Sequence, residues 1–237
     1  MSAPGWRAAL RARIDADPML RAVLAEVERR MDADAAHDVE HLLRVAHWTL
    51  RLGEGDPEVD PRLAVAAALL HDVVNLPKAH PDRARASERS ADVARALLPA
   101  LGVSAADAAL VADAVRDHSF TRGAVPASPL GRAVQDADRL EALGVIGTFR
   151  CVATGVRFGG AFSHPDDPWA EARPLDDARY AVDHFFTKLL RLPATFHTEA
   201  GRAEAERRAA LMRTLLAAYG EELGAPVPPA ALAPDLR

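Results

Sequence analysis

A chain of 237 residues with 49% hydrophobic content is long enough to bury a substantial core, as one domain or one domain with an appended arm. The single cysteine, Cys151, excludes an intramolecular disulfide and a cysteine-rich zinc module and suits a reducing cytoplasm, and a formal charge of -5 offers no broad surface to nucleic acid or anionic membrane. The opening stretch MSAPGWRAALRARIDADP interrupts its apolar positions with charge, and no later run of ~18 residues is free of it, so neither a signal peptide nor a membrane span is expected.

Apolar residues recur at spacings of three and four, the period of helices. The first helical stretch runs from about Trp6 to Met31 and breaks at Pro18, which lacks a donor and clashes with the preceding turn. A second runs from about Ala36 to Leu52 and ends at Gly53 and Gly55. Asp60 and Pro61 read as the cap and first-turn proline of a third, RLAVAAALLHDVV, which is apolar on nearly every side and is expected to be the central buried helix to about Val74. Pro77 and Pro81 mark a loop, ARASERSADVARALLPA a fourth helix, and Ser104 caps a fifth that stops near Phe120 to Gly123. After the loop TRGAVPASP, a sixth helix, PLGRAVQDADRLEALG, ends at Gly144. The stretch VRFGGAFSHPDDPWAEARP reads as a long loop and a candidate lid. Two more helices follow, DARYAVDHFFTKLLRL and, beyond Pro193, TEAGRAEAERRAALMRTLLAAYGEEL. No alternating Val/Ile run requires a sheet. The expected fold is all-α, a single domain over residues 1–225 with a motif core at 36–154 and C-terminal helices at 175–224, then a mobile tail at 226–237.

Chemistry concentrates in three stretches. In HDVEHLLRV, His37 and His41 stand four apart as in a zinc protease, but the position after the first histidine holds Asp38 where that motif needs glutamate. His71 and Asp72 close the most apolar helix of the chain, where burying a charge is costly unless it is paired or coordinated. Asp136 and Asp138 lie on a further helix beside Arg139. One His, a His-Asp pair and an Asp, each from a different helix, supply two nitrogen and two oxygen donors to one divalent ion and leave positions open for water and substrate.

HxxRV (His41 to Val45), HDVVN (His71 to Asn75) and DADRLEALG (Asp136 to Gly144) resemble the HD-domain superfamily of metal-dependent phosphohydrolases. The chain is most similar to a small bacterial single-domain subgroup, through His37 to Val45, Leu76 to Pro81, His118 with Ser119, and Gln135 to Gly147. The resemblance implies an HD-type helical bundle with its metal site between central helices and, as ligands, His41, His71, Asp72 and Asp138, the last because it stands directly before Arg-Leu. Asp136 then serves as a supporting hydrogen-bond partner. The protease reading, by contrast, leaves HD and DADRL without a role.

Hydrolysis of a phosphate ester or anhydride needs an activated water, positive charge on the phosphoryl oxygens and a proton donor for the leaving group. Asp72, Lys78, His80, His118 and Arg44 are the candidate catalytic residues, and His37, Asn75 and Arg139 the candidate substrate-binding ones. Some superfamily nucleotidases carry a carboxylate soon after HD; Asn75 stands in that vicinity and cannot act as a base, which leaves His37, Asp38 or His80 for the role. The expected cofactor is a divalent ion, manganese first, with magnesium, cobalt, iron, zinc or nickel as alternatives. The expected substrate is a small phosphorylated compound, a nucleotide by preference, handled in the cytoplasm by a monomer or homodimer. Two other classes are compatible with the residues: a metal- and nucleotide-binding regulatory protein without turnover, and an HD-type di-iron oxygenase.

Overall fold

The structure is a computed structural model and describes residues 5–30, 39–74, 82–120 and 122–233, with Arg83 described by its backbone alone. Among these residues it is all-α, with ten α-helices, three short 3-10 turns and one isolated bridge in place of any strand. None of the helices is long and apolar enough to cross a membrane. The chain divides into two compact units that meet in sequence between Asp138 and Arg139.

The first unit contains α1 (Trp6–Ala16), α2 (Pro18–Arg30), α3 (Val39–Leu52), α4 (Pro61–Leu70), α5 (Ala86–Ala100), α6 (Ala105–Asp117) and most of α7 (Pro129–Leu140). The expected break at Pro18 is a capped start: Asp17 Oδ1 accepts the amides of Met19 and Leu20 at 2.8 and 3.2 Å, and Asp17 also receives Arg62 Nε at 2.6 Å, tying the start of α2 to the start of α4. α4 begins as its sequence predicts. Asp60 accepts the amides of Arg62 and Leu63, Pro61 occupies the first turn, and every residue from Leu63 to Leu70 is buried. A helix that is apolar on all sides is stable only when surrounded, and α4 packs against α2, α3, α5 and α6. Its neighbours line that core with Val23, Leu42, Leu43, Leu98, Val111 and Val115.

The second unit holds the end of α7, then α8 (Gly144–Arg157), α9 (Ala181–Thr187) and α10 (Glu199–Leu223). Here the sequence reading needs correction. The sixth helix stops at Leu140, four residues short of Gly144, and α8 was not foreseen at all. Three glycines in its fourteen residues lower helix propensity, yet one of them has a steric reason: a Cβ on Gly147 would sit 2.2 Å from the Ala142 carbonyl. The predicted helix over Asp177 to Leu192 is shorter, with α9 followed by a 3-10 turn at Leu189–Thr195.

Arg208 shows how the C-terminal helix holds the connection between the end of α7 and α8. It is buried on α10, donating through Nη1 to the Leu140 carbonyl at 2.7 Å and through Nε to Glu204 at 2.7 Å, so the last carbonyls of α7 gain a partner. The glycine- and proline-rich stretch that reads as a candidate lid is held at many points within this unit. Ala161 pairs with Arg179 and Ala181 through the backbone, Trp169 is buried with Nε1 donating to the Ala225 carbonyl, and Arg173 grips Asp183 with two hydrogen bonds of 2.6 and 2.9 Å. Asp183 is fully buried and also accepts the Asp176 amide at 2.7 Å.

Candidate metal centre

Five of the residues singled out by sequence come together in the first unit: His41 from the middle of α3, His71 and Asp72 from the end of α4, His118 from the end of α6, and Asp138 from α7. Ligand atoms of His41, His71 and Asp138 lie within 4.8 Å of one another, and so do those of His71, Asp72 and His118. His71 belongs to both sets.

Helix termini account for the aim of two of these rings. His71 and His118 are the C-cap residues of α4 and α6, and each turns Nδ1 back onto the carbonyl three residues earlier: Ala68 at 2.7 Å and Val115 at 2.6 Å. A carbonyl only accepts, so Nδ1 carries the proton in both rings, and each Nε2 is directed away from its own helix. Metal-ligating histidines are held in this way, their second nitrogen donating to a backbone carbonyl or carboxylate.

The Nε2 atoms meet carboxylates. His41 Nε2 is 3.5 Å from Asp138 Oδ1; His71 Nε2 is 3.6 Å from that same oxygen and 3.7 Å from Asp72 Oδ2; His118 Nε2 is 3.4 Å from Asp72 Oδ1. The three histidines are buried, while each carboxylate side chain keeps 26% of its exposure, so the cluster opens to solvent on its carboxylate side. The fully buried Nε2 of His71 has no hydrogen-bond partner among the described residues. Buried polar atoms are rarely left in this condition. A ring nitrogen too far for a hydrogen bond to either facing carboxylate is placed as it would be around a shared cation, and the mixed imidazole and carboxylate donors fit a divalent transition metal.

The electrostatics agree. Burial works against a charge on His71, but the Asp72 and Asp138 carboxylates outweigh it and lift its pKa to about 9. Burial works against charge on both carboxylates too; the imidazole of His71 and the other two rings overcome it and hold Asp72 and Asp138 well below the usual carboxylate range. In the metal-free protein a proton on His71 thus takes the place of the cation. The histidine, raised above its ordinary 6.5, contributes stability that is complete below pH 6.5 and lost as pH rises through about 9. The two carboxylates, depressed from 3.8, contribute stability present above that value and lost as pH falls through their lower folded values. The contribution of this cluster to the stability of metal-free protein is therefore greatest between pH 3.8 and 6.5, and the melting temperature is expected to fall toward pH 9 as the histidine's share, on the order of 3 kcal/mol, is lost. A melting temperature in chelator that stays flat from pH 6.5 to 9 would contradict this.

The remaining predicted residues fall elsewhere. His37, Asp38, Asn75, Lys78 and His80 lie outside the described residues. Arg44 is half-buried on α3, one turn beyond His41. Asp136 is fully buried on α7. Arg139 is 9% exposed and donates through Nη1 to the Thr195 carbonyl inside the second unit. Gln135 is a site neighbour that sequence reasoning assigned no role: it is fully buried, and its amide donates to the carbonyls of Asp117 and Ala124 at 2.6 and 2.9 Å, anchoring the segment that carries His118 onto α7. A glutamine inside an apolar helical pattern, just before the acidic pair, was the available signal.

A helical unit with histidine and aspartate donors drawn from four helices defines a class, and comparison with known proteins names it. The family model described as HD domain matches residues 38–143. The uncharacterized protein YpgQ of Bacillus subtilis is 35% identical over 181 residues, spanning 75% of this chain and 80% of that protein. Among solved structures, a HD-superfamily hydrolase from Bacillus thuringiensis aligns with a TM-score of 0.64 at 28% identity, covering 91% of this chain and 99% of its own. The structure of YpgQ in complex with ADP aligns with a TM-score of 0.64 at 26% identity, covering 92% and 96%. The chain belongs to the HD-domain family and has the fold of HD-superfamily hydrolases.

Proposed function

We propose that this protein is a metal-dependent phosphohydrolase that cleaves a phosphate ester or anhydride of a small molecule, a nucleotide by preference. The observation that carries the reading is the buried Nε2 of His71, set between two carboxylates of depressed pKa with no hydrogen-bond partner among the described residues. His41, His71, Asp72 and Asp138 would hold a divalent ion, manganese first among the candidates. Such an ion lowers the pKa of water and neutralises phosphoryl oxygens, the two demands of phosphate hydrolysis. Support for a nucleotide comes from the ADP complex of YpgQ.

The chain's own residues take the remaining tasks. The partly open carboxylate edge admits substrate while the buried rings fix the inner wall. Arg44 and Lys78 are assigned to the phosphate charge, with Arg139 joining them only by giving up its bond to the Thr195 carbonyl. His37 and Asn75 are assigned to substrate or water orientation and His80 to proton transfer; the enzyme works in the cytoplasm as a monomer or homodimer.

The test is release of phosphate and pyrophosphate from nucleoside mono-, di- and triphosphates by metal-stripped protein reloaded with manganese, magnesium, cobalt or zinc. Turnover is expected to require metal and to vanish in Asp72→Ala. Metal binding with every substrate left intact would overturn the reading in favour of a binding protein, and consumption of oxygen by iron-loaded protein in favour of an oxygenase.

A further inference from the structure

Apart from the metal centre, the first unit holds an open cleft of about 400 Å³ lined by α1, the end of α3 and the turn that leads into α4. We propose that this cleft is a binding site for a small zwitterion, and that an α-amino acid with an apolar side chain is the ligand class it takes. Neither the metal ion nor hydrolysis is needed for it. The two sites share α3 but not one side of it: His47 follows His41 by roughly 9 Å of helix and about 240° of turn.

The charges of the lining carry the argument. Arg13 and Arg51 border the cleft, and neither forms an ion pair with a carboxylate among the described residues. Elsewhere in this unit Arg7, Arg11, Arg62, Arg95 and Arg116 each do. Glu54 and Asp56 border the same cleft and also lack an ion pair among the described residues. Cations and anions thus share one small space without joining. His47 adds no charge at neutral pH: burial, helped by the nearby Arg51 guanidinium, holds its pKa below the ordinary value. The lining therefore sums to zero. An anion would gain the guanidiniums and be repelled by the carboxylates, and a cation the reverse; a molecule carrying one charge of each sign satisfies both.

The surroundings hold these groups in place. Arg51 lies over the Trp48 ring at 4.6 Å, a contact that uses the face of the guanidinium and leaves its in-plane N–H donors for a carboxylate. His47 has the rings of Trp6 and Trp48 at 5.0 and 5.8 Å. The negative pole of α3 falls at its C-terminal end, just before Glu54, and favours an ammonium group there. The turn that carries both acids is fixed by glycine. A Cβ on Gly53 would sit 2.6 Å from Val59 Cγ1, and Gly55 takes a φ of 84°. The Gly53 carbonyl then accepts the Asp56 amide at 3.2 Å. Leu50, Val59 and Pro61 give the cleft its apolar lining, which suits a hydrocarbon side chain.

The test is an NMR titration of the nitrogen-15-labelled full chain with leucine, phenylalanine and alanine. Leucine is expected to shift the amide signals of Gly53, Glu54 and Gly55 and the indole signal of Trp48 along a saturable curve. Leucine amide, which lacks the carboxylate, and N-acetylleucine, which lacks the ammonium, should each bind about 10-fold more weakly or worse. Arg13→Gln and Glu54→Gln should weaken leucine to a similar degree; both residues are exposed, so the fold is retained, as circular dichroism would check. No saturable shift with any of the three amino acids up to about 10 mM would overturn the proposal. Inorganic phosphate or ADP shifting the same signals in place of leucine would overturn it in favour of an anion site. Leucine shifts confined to the ends of α4 and α6 would overturn it too, as the mark of an amino acid chelating the metal ion. Equal affinity of leucine and leucine amide, or of wild type and both variants, would remove the charge pairing on which it stands.

Discussion

Asp138→Asn is expected to abolish metal loading at concentrations that saturate the wild type. Asp138 Oδ1 is the point on which two rings converge, 3.5 Å from His41 Nε2 and 3.6 Å from His71 Nε2. Asparagine keeps the shape and loses the charge. The donor set then has one carboxylate in place of two, and the NH2 of the new amide can turn toward the ring nitrogens as a competing donor. Outer partners of metal ligands already cost 10- to 100-fold in affinity when removed, so loss of an ion-facing carboxylate should exceed about 100-fold. Isothermal titration of chelator-treated protein with manganese or cobalt measures it directly. Retention of affinity within about 10-fold would place the ion away from α7 and refute the donor set. Asp136→Asn, two residues earlier on the same helix and fully buried, is the comparison that separates a ligand from a nearby support.

The second large effect concerns stability. Asp183→Ala is expected to destabilise the second unit by about 3–5 kcal/mol, the usual result of breaking a buried ion pair by deleting one partner. The carboxylate is fully buried and accepts three hydrogen bonds, two from Arg173 and one from the Asp176 amide. Its removal leaves the Arg173 guanidinium, packed over the Tyr180 ring at 4.8 Å, with only the more distant Asp167 carboxylate at 4.0 Å as counter-charge, and deprives the part-buried Asp176 amide of its acceptor. Asp183→Asn should lose less, since an amide oxygen can still take one of the three. Urea unfolding of the two variants tests the ranking; equal and small losses would mean that the stretch from Asp167 to Tyr180 is held by its other contacts.

Much of the first unit was legible because its sequence obeys local rules. Asp60 with Pro61 announces α4, Ser104 announces α6, and Pro18 divides α1 from α2. His41, His71, Asp72 and Asp138 could be named as a donor set because three separated motifs together resemble the HD-domain pattern; the His-Asp pair closing a buried helix would not have sufficed alone. Their convergence depends on α4 lying against α3 and α6, which periodicity alone does not encode. The contact of His118 with Asp72 is of that non-local kind: the residues are the ends of two separate helices, and only packing brings those ends together. The second unit was less legible for a different reason. In α8 the glycines have opposite uses: Gly144 supplies a φ of 72° at the helix start, and Gly147 permits close approach to Ala142. Both weaken the local helical signal that would have revealed the element.

That His71 and His118 grow from the terminal turns of core helices has a kinetic consequence. The Ala68 and Val115 carbonyls that hold the rings belong to turns of α4 and α6 whose neighbours Leu69, Leu70, Ala114 and Val115 are almost wholly inaccessible to water. Such turns open only with the most protected part of a structure. Rings anchored there cannot swing aside one at a time, so an ion that enters through the carboxylate edge and is held by His71 is expected to leave slowly. Hydrogen exchange at the ends of α4 and α6 and the dissociation rate of the ion should then respond together to any substitution that loosens the core, even one that touches no donor.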